Sequence, residues 1–142
     1  MALHALNKGK EGERQAIKFL QPTVNLVYEK LSQQAPQLYR NQNQSALGGY
    51  DIDGLDWLAL EIKRQEDLNI NAWWKQVNKA CKEGQTPVLM FRQNRKAWRF
   101  ITNVWLHTGG AGHIKVRAEL NKDDFLQWFH DKCTYEALRT NI

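Results

Sequence analysis

The sequence predicts an α/β protein, a mixed central β-sheet flanked by helices. Three observations lead there. Stretches of helical and of strand periodicity follow one another in the order helix, helix, strands, helix, strands, helix. The clearest helical stretch, with Ile70, Trp73, Trp74, Val77, Ala80 and Cys81 on one face, lies between strand-like runs on either side. A chain of 142 residues that is 42% hydrophobic is also long enough to bury one core without staples.

The elements can be justified in order. Lys8 to Leu20 reads as a helix, with Glu13, Ala16, Ile17 and Leu20 at helical spacing. Pro22 suits the first turn of a second helix, to Gln34, whose stripe is Val24, Val27, Tyr28 and Leu31; Pro36 stops it. Gln37 to Gln42 fits a short strand, and Asn43 to Gly49 a loop ending in two glycines. Tyr50 to Gly54 and Trp57 to Arg64 predict a tight hairpin turning at Gly54-Leu55-Asp56. Asn69 is placed to cap the helix that follows, and Gly84 to end it. Pro87 to Phe91 and Ala97 to Thr102 predict a second hairpin, joined by the basic turn Arg92-Gln93-Asn94-Arg95-Lys96. One or two strands follow from Val104 to Leu120, interrupted at Gly109-Gly110-Ala111-Gly112. That glycine stretch reads as a loop between strands rather than a phosphate cradle, because no helix clearly begins after it. Asn121 then caps a last helix, with Asp123 and Asp124 in its first turn, where carboxylates suit the helix dipole.

Composition narrows the function. Cys81 and Cys133 are far apart and the four histidines are scattered, which argues against a disulfide framework or a zinc site. The amino terminus turns polar too early for a signal peptide, and no apolar run approaches a membrane span of roughly 18 residues. A soluble, cytoplasmic protein is expected. A net charge of +5 and a pI of 9.3 mildly favour a polyanionic partner. The six tryptophans exceed the needs of so small a core and leave room for stacking surfaces.

The chemistry concentrates between Gly49 and Gln65. In the strand from Trp57, alternation sends Leu58, Leu60 and Ile62 towards a core and Trp57, Ala59, Glu61 and Lys63 to the other face. An ordinary half-exposed strand would show the same pattern. The strand before it makes that less satisfactory, because Asp51 and Asp53 share a face and a tight turn sets Asp51 opposite Glu61. Like charges across a hairpin destabilise a sheet unless a cation joins them. Hard cations such as Mg2+ take carboxylate oxygens together with water and phosphate. Lys63, on the face of Glu61, is placed to meet a phosphate or orient an attacking water. Glu13 lies on the inward stripe of the first helix and needs a partner: either the metal, or an arginine such as Arg14 or Arg40. Glu11 points more towards solvent.

Gly12-Glu13-Arg14-Gln15-Ala16-Ile17, Arg40, Asp51-Ile52 and Leu60-Glu61-Ile62-Lys63, followed by Thr86 to Phe91 and Ala97 to Ile101, form an ordered set. The set resembles the archaeal and phage Holliday junction resolvases of the PD-(D/E)XK superfamily, over about residues 8–102. The resemblance implies a restriction-endonuclease-like core within one nuclease domain, residues 1–142, with 103–142 as a C-terminal extension. It implies a metal-dependent DNA endonuclease acting on four-way junctions as a homodimer, with Mg2+ (or Mn2+) held by Glu13, Asp51 and Glu61; the alternatives are a related nuclease acting on duplex, ends or flaps, and a non-catalytic DNA-binding module with an incidental acidic hairpin. Lys63 would then be catalytic, and Arg14 and Arg40 the basic residues near the site. Tyr50 replaces the family's proline, and Asp53 is an alternative ligand. Gln76 matches a site-edge glutamine of several relatives, or is a solvated helix residue. Arg92, Arg95, Lys96 and Arg99 are candidates for phosphate contacts, or form a solvated hairpin end.

Overall fold

Six strands form one sheet in chain order, β1-β2-β3-β4-β5-β6. The computed structural model describes residues 2–41 and 50–140, so the predicted loop from Asn43 to Gly49 lies outside the described residues. The elements are α1 (Ala2–Lys30), β1 (Tyr39–Arg40), β2 (Ile52–Asp53), β3 (Leu58–Arg64), α2 (Ile70–Ala80), β4 (Thr86–Arg92), β5 (Arg99–Gly109), β6 (Gly112–Leu120) and α3 (Lys122–Arg139). β3 and β4 are parallel and α2 makes the crossover, whereas the other neighbouring pairs are antiparallel. This is the mixed, helix-flanked α/β sheet that the sequence predicts.

The two sheet faces bury different sets. Even-numbered residues of β3 and β4 (Leu58, Leu60, Ile62, Val88, Met90) join Phe100 in one cluster. Ala16, Leu20, Val24 and Val27 of α1 and Phe125, Phe129 and Cys133 of α3 cover it. The odd-numbered face (Ala59, Leu89, Phe91, Ile101) is covered by Trp73 and Val77 of α2. β3 is therefore buried on both sides, and α3, beyond residue 102, belongs to the principal core.

Five local expectations change. Pro22 does not open a second helix; it lies within the single helix α1. The residue is exposed, so the carbonyl left without its N–H partner faces water, while the stripe from Ala16 to Val27 runs on across the proline. Asn69 occupies the cap position of α2, but its side chain makes no capping hydrogen bond. That helix stops before Gly84, at the Cys81 cap, and Gly84 takes φ +85° in the turn that follows. Trp57 leaves the Glu61 face. It precedes the first residue of β3 and packs in the principal cluster against Trp128 and Phe129, at 6.2 and 5.9 Å between ring centroids. The predicted strand at Ala97 begins at Arg99 and continues without a break to Gly109, so the glycine stretch is the tip of the β5–β6 hairpin. Asn121 does cap α3, accepting from the backbone N–H of Asp124 at 2.8 Å.

Candidate active site

Three carboxylates are buried where α1, β2 and β3 meet: Glu13, Asp51 and Glu61 are 5%, 6% and 2% exposed. Gly12 explains how α1 comes so close. A Cβ there would stand 3.1 Å from Cβ of Arg64, so the helix rests almost directly on the end of β3 and brings Glu13 with it. On the other side, Gly54 turns the chain from β2 into β3 at φ +121°. A side chain on Gly54 would meet the Gln37 carbonyl at 2.6 Å.

Asp51 is fixed by the backbone of the neighbouring strand. Its N–H donates to the Leu60 carbonyl at 3.0 Å, and its Oδ2 accepts from the Ile62 N–H at 2.7 Å. Glu61 Oε1 accepts from Gln76 Nε2 at 2.8 Å, and Lys63 Nζ lies 3.7 Å from the same oxygen. Gln76 is exposed on α2, and its side chain still reaches the Glu61 carboxylate. Glu61 Oε2 is buried and has no hydrogen-bond partner among the described residues, as is Nε of Arg64 on the same strand. Glu13 has Arg40 beside it, whose Nε donates to Oε2 at 3.0 Å.

These surroundings disfavour two negative charges. Burial first, and the Glu61 charge second, push the Asp51 carboxyl up to about 8; the Ile62 N–H and the Lys63 ammonium oppose the rise. Burial also raises Glu61, with Lys63 as the main opposing influence. Glu13 is close enough to add to both shifts. Asp51 and Glu61 therefore form one tightly coupled pair that retains a proton near neutral pH when nothing cationic joins it.

Among the described residues, no three His, Cys, Asp or Glu side chains converge as a ready-made metal cage. The donor set nonetheless fits a hard cation of the Mg2+ kind, which takes one or two carboxylates and keeps several waters. An unpartnered buried carboxylate oxygen beside a second carboxylate is the feature such an ion would satisfy.

The remaining candidates are divided. Asp53 is half-buried in β2, opposite Tyr39 of β1, and it is Asp51 whose carboxyl Glu61 perturbs. Arg14 is exposed and pairs with Glu11 at 3.8 Å, so Arg40 alone of that pair reaches Glu13. Arg92 lies over the Trp98 ring, 5.5 Å from its centroid, while Arg95 and Lys96 are exposed. Arg99 is committed to Glu119 through two hydrogen bonds of 2.8 Å, and its guanidinium covers Phe91. The Asp51–Ile62 bond had no local signal, because a side chain accepting from a neighbouring strand's N–H follows from strand pairing alone.

A helix-flanked mixed sheet with a buried Asp-and-Glu pair, followed on the same strand by lysine, defines the PD-(D/E)XK class of nucleases. A family described as "Phage putative PDDEXK endonuclease" matches residues 5–136, and the chain belongs to that family. The match includes most of the segment after residue 103. PD-(D/E)XK nucleases generally use divalent metal ions, and a nuclease binds nucleic acid. No curated protein and no solved structure matches the chain. Among the described residues, no helix is long and apolar enough to cross a membrane.

Proposed function

We propose that this chain is a metal-dependent DNA endonuclease that cuts branched DNA, four-way junctions above all, as a homodimer with one site per protomer. The observation that carries the catalytic part is the buried Asp51–Glu61 pair, with an unpartnered carboxylate oxygen and Lys63 beside it. Asp51 and Glu61 would hold the cation, Mg2+ or Mn2+, and Glu13 would join them directly or through water. When bound, such an ion offsets charge on the scissile phosphate and lowers the pKa of the attacking water.

The chain's own residues do the rest. The Ile62 N–H and Gln76 each occupy one carboxylate oxygen, which sets the direction of the other. Lys63 orients the water and stabilises charge developing on the phosphate. Arg40 restrains Glu13. Arg92, Arg95 and Lys96, at the end of β4 nearest Lys63, would meet the DNA backbone, and Arg14 would extend that contact from α1.

The branched-DNA part rests on the resemblance to junction resolvases. The second reading, a nuclease acting on duplex, ends or flaps, is favoured by the family match, whose description names an endonuclease and nothing narrower. Cleavage of labelled four-way junction and linear duplex, in Mg2+ and in EDTA, tests both. Junction cut in preference to duplex, only with Mg2+, is the expected result. Equal cleavage of both substrates removes the junction assignment and leaves the nuclease. Wild-type cleavage by Glu61→Gln refutes the active site itself.

A further inference from the structure

The β5–β6 hairpin extends past the amino-terminal end of β4 and has two unlike faces. Strand pairing sets Asn103 opposite Arg117, Trp105 opposite Lys115 and His107 opposite His113 on one face. Val104 with Val116 and Leu106 with Ile114 make up the other. Between Asn103 and Ala118 there is no acidic residue. Trp105 is 61% exposed, with the Lys115 ammonium 6.0 Å from its ring centroid and His113 edge-on to it. Arg117 donates to Asn71 of α2 at 2.9 Å, and among the described residues neither Lys115 nor Arg117 has an ion-pair partner.

The basic face is on the same side of the sheet as the site. Glu61 pairs with Leu89, Leu89 with Ile101, and Ile101 with Glu119, so odd-numbered residues of β3 to β6 share one face. Glu119, the acid on that face of β6, is held by Arg99. α2 crosses this face, exposes Lys75 and Lys79, has no acidic residue, and touches both ends: Gln76 meets Glu61 and Asn71 meets Arg117. Glu61 to Trp105 is two strand spacings across and four residues along β5. At ~4.8 Å per strand and ~3.3 Å per residue that is about 16 Å, or about five base pairs at ~3.4 Å each.

We infer that the β5–β6 hairpin is a DNA-gripping arm. Lys115 and Arg117, one strand further out than Trp105, take backbone phosphates about five to six base pairs from the bond cut at Glu61, and Trp105 packs against the neighbouring deoxyriboses. This rests on the nuclease reading and deepens it by assigning the surface that holds the substrate duplex. Charge complementarity selects DNA as the occupant, since the basic residues lie on the site's face while the apolar residues lie on the other.

The test uses the full chain bearing Glu61→Gln and a labelled linear duplex, in EDTA, across a salt series. Adding Lys115→Gln with Arg117→Gln should lower the salt slope by about two. At 0.1 M salt each phosphate contact is worth ~0.9 of a decade relative to 1 M, so binding should weaken roughly sixty-fold. Lys115→Arg with Arg117→Lys should keep the wild-type slope, which separates lost charge from a damaged hairpin. Trp105→Ala should weaken binding and leave the slope unchanged. An unchanged slope in the neutralised pair overturns the arm while leaving the nuclease reading intact, provided cleavage persists. A changed oligomeric state in sedimentation, without a changed slope, also overturns it, because the arm would then be a protein contact. If the wild type neither binds nor cuts DNA, the nuclease reading fails and the arm fails with it.

Discussion

Replacing Asp51 with asparagine should stabilise the metal-free protein at alkaline pH. Asp51 has an ordinary value of 3.8 and titrates at about 8 in the fold. The unfolded chain therefore gives up this proton near pH 4, and the folded chain holds it to about pH 8. A carboxyl whose folded pKa is raised contributes stability that is complete below its unfolded pKa and is lost as pH rises through the folded one. Between pH 5 and pH 9 about three units of that window are traversed. At ~1.4 kcal/mol per unit the loss is about 4 kcal/mol. For a chain of 142 residues with an unfolding entropy of ~2.1 cal/mol/K per residue, this lowers Tm by about 13 °C. In Asp51→Asn the amide oxygen still accepts from the Ile62 N–H, and nothing at that position ionises. The assay is thermal unfolding of both proteins in EDTA at pH 5, 7 and 9, with the difference between them as the readout. The wild type should fall relative to the variant as pH rises. Mg2+ should restore the wild type, by about 2.7 kcal/mol at a hundred times its Kd, and leave the variant where it was. Parallel pH curves for the two proteins would refute the account of the buried pair.

Three further outcomes are expected. Gln76→Leu removes the hydrogen bond to Glu61 Oε1 from a side chain already at the surface, so it should reduce cleavage by about ten- to a hundred-fold; an unchanged rate with a native melting curve would return Gln76 to a spectator. Gly54→Ala combines a left-handed backbone with a clash at the Gln37 carbonyl, and should cost about 2–4 kcal/mol in denaturant unfolding; a loss below about 1 kcal/mol would show that the β2–β3 turn can relax. Neutralising Arg92, Arg95 and Lys96 together should weaken DNA binding equally across sequences and flatten its salt dependence by roughly one per lost contact; an unchanged slope would leave this turn as a solvated hairpin end.

Much of the site was legible because its chemistry sits on one strand. Period-two alternation alone put Leu58, Leu60 and Ile62 on one face of β3 and Glu61 and Lys63 on the other, and Glu13 was marked by its place on an apolar helical stripe. The helical stripe of α2 and the Asn121 cap of α3 were equally local. Where the residues that decide an outcome are distant in the chain, the sequence was silent or misleading. Pro22 is a helix breaker by propensity, yet α1 continues through it because the core stripe on its other face does not stop there. Trp57 obeys strand alternation on paper and follows Trp128 and Phe129 in space.

From the sequence alone one can determine an α/β chain, its acidic hairpin and the lysine beside it, because periodicity and short spacings are properties of neighbouring residues. The tertiary structure decided the rest. It settled Glu13 against Arg40 across 27 positions of sequence, and Asp51 against the N–H of Ile62. It also set Trp105, Lys115 and Arg117 on the face of Glu61, which depends on the register of three successive strand pairings. A one-residue slip in any of them would turn that face over, and no local pattern in the hairpin records which way it points.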